Sequence, residues 1–340
     1  MGGNALKNIK IVRISLLKLN ELKGKIRERI SDELDIDFMI ENPEKKDFGD
    51  LDIIYKLKPD SKIIVKDLLI NLFSPVEIVV NGDIISFAYP SDVEGEFFQI
   101  DFIKCKNLNM SKFYFSFGDF GNIFGYITNS YNIKLGHFGL FVNISRGMFE
   151  GKFGISSSNC YNFNEKMYLT EEPSEICNFF KLDYSLWAGL DSEHKIFDWL
   201  CSSPYFSKSI YDEVSNKICR NINSRPMYIR FVKWISSLKD SNNYQKYDRR
   251  MEAIKYFNLD GKLGDILRLN KIIQERRDKF NGNKIMEKGY LESNKELGDF
   301  IKKFKMYIIE ENGDFDKWLD GNSSAIIDDR IKLFVLLNKN

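Results

Sequence analysis

Two apolar segments that carry carboxylates where a strand interior calls for hydrocarbon constrain this chain more than anything else in it. The first is Lys45-Lys46-Asp47-Phe48-Gly49-Asp50-Leu51-Asp52-Ile53-Ile54-Tyr55, and the second, about fifty residues on, is Phe97-Phe98-Gln99-Ile100-Asp101-Phe102-Ile103. In an extended strand, side chains at i and i+2 share a face, so Asp50 and Asp52 aim two carboxylates at one spot just after a glycine. Asp101 sits in a run apolar enough to read as a buried strand, where a lone charge is costly unless something pairs with it. Three converging carboxylates make an all-oxygen site suited to Mg²⁺, an ion that keeps several waters and accepts substrate phosphates. A lysine partner for each acid is the competing reading, since Lys45, Lys46 and Lys104 are close in sequence.

The 340 residues suffice for two or three cores, and the composition is that of an ordinary globular protein. Five cysteines lie scattered without metal or redox spacing, which reads as reduced, packed thiols and a cytoplasmic protein. Two histidines, His137 and His194, argue against a histidine-built zinc site. No apolar run approaches a membrane span, so no membrane partner is expected. The net charge of +1 hides a division: residues 1–203 carry 23 Lys and Arg against 29 Asp and Glu, and residues 204–340 carry 27 against 20. An acidic half with the carboxylates and a basic half after it would suit a protein that brings metal and phosphate together and grips a polyanion.

Helical spacing is expected over 7–30, then a strand Ile36–Ile40, a strand Leu51–Leu57 and a helix over 63–73. Residues 77–80 and 83–87 flank Asn81-Gly82, a strong hairpin signal, and the Asp101 strand follows. Both acidic strands therefore belong to one mixed sheet with interleaved helices, an α+β arrangement. The glycine-rich Gly118–Gly125 leads into another helix, strand-like pairs at 138–145 and 161–169 bracket a loop over 151–162, and the remainder reads as helices. These are expected over 174–181, 192–202, 209–221, 226–238, 249–257, 263–280 and 295–309. The boundary is placed near 170, giving a domain over 1–170 and a helical, basic region over 171–340.

The Gly-Asp-x-Asp turn, with a third aspartate on a neighbouring strand, resembles the active site of polymerase-β-type nucleotidyltransferases, which include poly(A) polymerases and CCA-adding enzymes. Lys279-Phe280-Asn281-Gly282 and Leu297-Gly298-Asp299-Phe300-Ile301-Lys302-Lys303-Phe304 are similar to the helical tail of CCA-adding enzymes, and Met1-Gly2-Gly3-Asn4-Ala5-Leu6 looks like the start of viral or phage-type members. The resemblance implies a nucleotidyltransferase palm over 1–170 and an RNA-binding region over 171–340. It implies two Mg²⁺ ions, with Mn²⁺ as a substitute, held by Asp50, Asp52 and Asp101, and transfer of a nucleoside monophosphate from an NTP to an RNA 3′ hydroxyl, with tRNA among the candidate acceptors. The family's usual Gly-Ser pair before the first aspartate is missing, and the region reads Ile40-Glu41-Asn42-Pro43-Glu44. Either Asn42 supplies that hydrogen bond, with Lys45, Lys46 and Gly49 around the triphosphate, or Gly2-Gly3 folds back to do so.

Candidate phosphate contacts in the basic half are Arg230 and Lys233, which lie off the apolar stripe of their helix, and the doublets Arg249-Arg250 and Arg276-Arg277. For each of these taken singly, a solvated helix face is the favoured reading. Two other functions remain open from sequence alone: a nucleotidyltransferase that makes a signalling nucleotide or modifies a protein, and a non-catalytic scaffold. Oligomeric state is not readable from the chain.

Overall fold

The computed structural model describes residues 5–30, 33–145, 148, 164–211, 225–238, 247–291 and 295–338. The chain divides into two compact units, one made of Met1–Asn143 with Lys166–Asn258 and the other of Ile144–Glu165 with Leu259–Asn340. The described residues of 171–258 thus belong to the unit that holds the sheet.

The first unit is α+β and is built on a mixed sheet. Its strands are β1 (Lys10–Ile11), β3 (Leu34–Phe38), β5 (Asp50–Leu57), β6 (Ile78–Asn81), β7 (Ile84–Pro90) and β8 (Glu96–Lys104), in the order β3-β5-β8-β7-β6, with β1 also pairing β8. Strand β5 runs parallel to β8, and its other neighbour β3 is antiparallel. A separate two-stranded ribbon pairs β2 (Ile14–Ser15) with β4 (Asp47–Phe48), just before β5.

Alternation along the strands divides the sheet into two faces. Leu51, Ile53 and Tyr55 of β5, Phe98, Ile100 and Phe102 of β8, and Ile85 and Phe87 of β7 point to one side. There they pack against Leu19, Leu22, Ile26 and Ile30 of helix α1 (Leu16–Ile30) and Val65 and Leu69 of α2 (Val65–Phe73). The opposite face carries Asp50, Asp52, Gln99 and Asp101 at one end. Further along, Ile54, Ile103, Cys105 and Met39 form a small apolar cluster against Leu108 and Phe115 of α3 (Leu108–Phe115). That second cluster closes one side of the acidic region with hydrocarbon.

The expected helix over 7–30 begins only at Leu16, because Lys10 and Ile11 pair with Glu96 and Phe97 on the sheet. The β6–β7 hairpin is present one residue later than its signal: Asn81 pairs Ile84, and Gly82, at φ 59°, starts a two-residue loop with Asp83. Helix α4 (Phe120–Ser130) follows the glycine-rich stretch, and β9 (Ile133–Gly136), β10 (Gly139–Ser145) and β11 (Asn164–Thr170) form a three-stranded sheet. Gly139, at φ 121°, admits no side chain: a Cβ would lie 2.4 Å from the Thr170 carbonyl oxygen. Helices α5 (Pro173–Phe179), α6 (Tyr184–Trp187) and α7 (Glu193–Cys201) and those at Pro226–Ser236 and Arg250–Tyr256 complete the unit. The loop expected over 151–162, and most of the helix expected over 209–221, lie outside the described residues.

From Leu259 on, the second unit is helical where described. Helices Asp260–Lys279, Gly282–Glu287, Leu297–Asn312, Phe315–Gly321 and Ser324–Leu337 bury Phe280, Phe304, Ile308, Phe315, Ile327, Ile331 and Phe334 in a core of their own. Asn281, Asp314 and Ser323 cap three of these helices by accepting hydrogen bonds from backbone amides. No helix among the described residues is long and apolar enough to cross a membrane.

Candidate metal centre

Strand register brings the three expected aspartates together. Asp52 of β5 stands opposite Asp101 of β8, and Asp50 stands opposite Gln99. Each aspartate offers a carboxylate oxygen, and the three ligand atoms lie within 4.8 Å of one another; all three residues are half-buried. Asp101 is held by neutral donors rather than by a lysine, with the Gln99 side-chain amide 2.9 and 3.1 Å from its two oxygens. Ser86, opposite Asp101 on β7, adds a further hydrogen bond.

The local electrostatics follow from this crowding. Burial pushes the Asp52 carboxyl well above the usual carboxylate range, the charges of Asp50, Asp101 and Glu41 push it further, and Lys45 opposes them. Burial likewise raises Asp101 to about 6, with Asp50 adding to the rise and the Ser86 and Gln99 hydrogen bonds working against it. Like charges drawn together at the rim of an apolar cluster are what a divalent cation relieves, and an all-carboxylate donor set fits a hard ion such as Mg²⁺ or Mn²⁺. Asp50, Asp52 and Asp101 are the residues that would hold it.

The other expected site residues are placed less uniformly. Asn42 is buried; its Nδ2 donates to Glu193 Oε1 at 2.6 Å, and its Oδ1 accepts from the Glu44 amide at 2.9 Å. Its amide group is therefore turned into the protein and holds the 42–44 turn. Lys45 and Lys46 are exposed, with Lys45 Nζ 4.8 Å from the centre of the Phe48 ring, and Gly49 is buried between β4 and β5.

Among the arginines expected to meet RNA, Arg249 lies inside the protein. It is buried, it pairs with Glu252, donates to the Tyr205 hydroxyl at 2.9 Å and stacks 4.0 Å from the Tyr205 ring centre. Arg230 is half-exposed but forks onto the buried Glu193 at 2.6 and 2.5 Å. Arg250 binds Asp248 and the Asn143 carbonyl, and Arg276 binds Asp316 and Asp320. Lys233 and Arg277 are exposed at their helix surfaces.

Two site residues escaped the sequence reading. Gln99 had a signal, since it lies two positions before Asp101 on one strand and so shares its face. Ser86 had none, because its approach depends on the β7–β8 register.

No family model matches the chain, and no curated protein sequence does. Among solved structures it is similar to the polymerase beta of Leishmania infantum in a ternary gap complex, at 14% sequence identity, with 44% of this chain and 58% of that chain covered and a TM-score of 0.33. The ternary P/T complex of the same polymerase gives 15% identity, coverage of 43% and 64%, and a TM-score of 0.32. The chain therefore spans about three fifths of the length of the polymerases it matches.

Proposed function

We propose that the chain is a divalent-metal-dependent nucleotidyltransferase that moves a nucleoside monophosphate from an NTP to the 3′ hydroxyl of an RNA. The observation that carries the reading is the convergence of Asp50, Asp52 and Asp101 from adjacent parallel strands, with their ligand oxygens within 4.8 Å of one another. Bound divalent cations would supply charge neutralisation of a triphosphate and a lowered pKa for an attacking hydroxyl. The chain's own groups do the positioning. Asp50 and Asp52, fixed on one strand face, hold the triphosphate side, and Asp101 on the next strand holds the side of the acceptor hydroxyl. Lys45 and Lys46, exposed on the turn before β5, are placed to meet phosphate oxygens. The hydrocarbon of Ile54, Ile103 and Met39 limits water along one side of the site.

One observation favours a second reading, in which the same centre makes a small nucleotide product or nucleotidylates a protein. Arg230, Arg249, Arg250 and Arg276, four of the six residues expected to contact RNA, are already engaged by acids of this chain. Incubation with each labelled NTP, Mg²⁺ and a pool of small RNAs separates the two. Label extending an RNA supports RNA 3′ transfer, whereas NTP consumption without labelled RNA supports the second reading. No consumption under any condition would overturn both.

A further inference from the structure

Beside the three aspartates lies a side chain whose chemistry is set from two directions. Gln99 is 2% exposed on β8, two residues before Asp101 and on the same face. Its Nε2 donates to both oxygens of Asp101, at 2.9 and 3.1 Å. Its Oε1 accepts from the backbone amide of Ala5 at 3.0 Å. An isolated glutamine amide could turn over and present its oxygen instead, and against a carboxylate that would repel. The Ala5 N–H can only donate, so it requires the oxygen on its own side and leaves the NH₂ facing Asp101.

The segment that brings Ala5 there is itself fastened. Leu6 is buried, the Lys7 and Asn8 amides donate to the Glu77 carboxylate at 3.4 and 3.3 Å, and Lys10 and Ile11 pair with Glu96 and Phe97 at the start of β8. Strand β8 thus carries the N-terminal strap at one end and Asp101 in its middle, with Gln99 joining the two.

We propose that Gln99 is a positioning residue for the metal centre: oriented by the Ala5 amide of the N-terminal strap, it fixes the Asp101 carboxylate toward Asp50 and Asp52. The proposal rests on the reading of those three aspartates as ligands of a divalent cation. Partners of this kind, one step removed from the ion, orient a ligand and typically contribute about 10–100-fold to metal affinity. Gln99→Met keeps nearly the same shape and removes the hydrogen bonds to Asp101 and from Ala5. Gln99→Asn keeps the amide but is one methylene too short to reach Ala5 and Asp101 together.

The test is Mn²⁺ binding to the full chain, read by the loss of the free-ion electron paramagnetic resonance signal, with a thermal melt of each protein alongside. Both variants are expected to bind Mn²⁺ about tenfold more weakly than the parent while melting cooperatively. If Gln99→Met fails to melt cooperatively, Gln99→Asn is the variant read. A variant that melts cooperatively and binds Mn²⁺ within twofold of the parent overturns the positioning role and leaves the metal centre standing. A parent that binds no Mn²⁺ overturns the metal centre and this role with it.

Discussion

The acidic face of the sheet and the arginine-bearing helices use charge in opposite ways. On the sheet, Asp50, Asp52 and Asp101 are drawn within 4.8 Å of one another, and Asp101 is held by a neutral amide and a hydroxyl. On the helices, Arg230, Arg249, Arg250 and Arg276 each meet a carboxylate of their own chain. The first arrangement gathers like charges at one spot, which a divalent cation would relieve. The second is internally neutral and contributes to holding helices together. Charge counts alone do not separate the two, since both come from ordinary densities of Asp, Glu, Lys and Arg.

If the contrast holds, the largest effect follows from the triphosphate-side pair. Asp50→Asn and Asp52→Asn are expected to weaken NTP binding in the presence of Mg²⁺ by more than about 100-fold, because loss of a direct ligand exceeds the 10–100-fold typical of an indirect partner. Calorimetric titration with a non-hydrolysable NTP reads this, and binding within tenfold of the parent would break the acidic half of the comparison.

The arginine half is sharpened by Arg249. Arg249→Ala removes an ion pair from a buried guanidinium to the half-exposed Glu252, a hydrogen bond to Tyr205 and a stacking contact, and should lower stability by about 2 kcal/mol. Urea unfolding measures that loss. The salt dependence of RNA binding by the folded variant should match the parent's; a slope flattened by about one unit would mean that Arg249 neutralises a phosphate after all.

A comparable effect is expected from pH. Asp101 has its pKa raised to about 6 in the folded, metal-free protein, so the fold binds that proton more tightly than the unfolded chain does. The sign follows directly: this group's contribution is most favourable at low pH and is lost as pH rises through about 6. The stability of the metal-free parent relative to Asp101→Asn should therefore fall by about 2 kcal/mol between pH 4 and pH 7. A difference independent of pH would show that burial and the nearby Asp50 charge do not raise the Asp101 carboxyl.

Much of the acidic half is legible in the chain itself. Period-two alternation around Asp50, Asp52 and Asp101 reports both their strands and their shared face, because that pattern is local. The α+β class follows from it. What is not legible depends on partners remote in sequence. The helical spacing over 7–30 is overridden at Lys10 and Ile11 because β8 offers an edge for them to pair with. Asn42 sits at a suitable spacing for a nucleotide contact, yet Glu193, 151 residues away, captures its amide. Arg249 reads as half of a basic doublet, and only the fold places Tyr131, Phe179 and Tyr205 around it. Surface arginines carry no mark in the sequence that tells an internal pair from an exposed grip.

The central claim is that the three aspartates form one metal centre for nucleotidyl transfer, and Asp101 tests it most directly because it comes from a different strand than the other two. Parent and Asp101→Asn are incubated with labelled NTPs, Mg²⁺ and small RNAs, and transferred label is counted. The account predicts label transfer by the parent and a loss of more than about 100-fold in the variant, with cooperative melting retained. Asp101→Asn that keeps more than about a tenth of the parental transfer, when even an indirect partner typically contributes 10–100-fold, would contradict it.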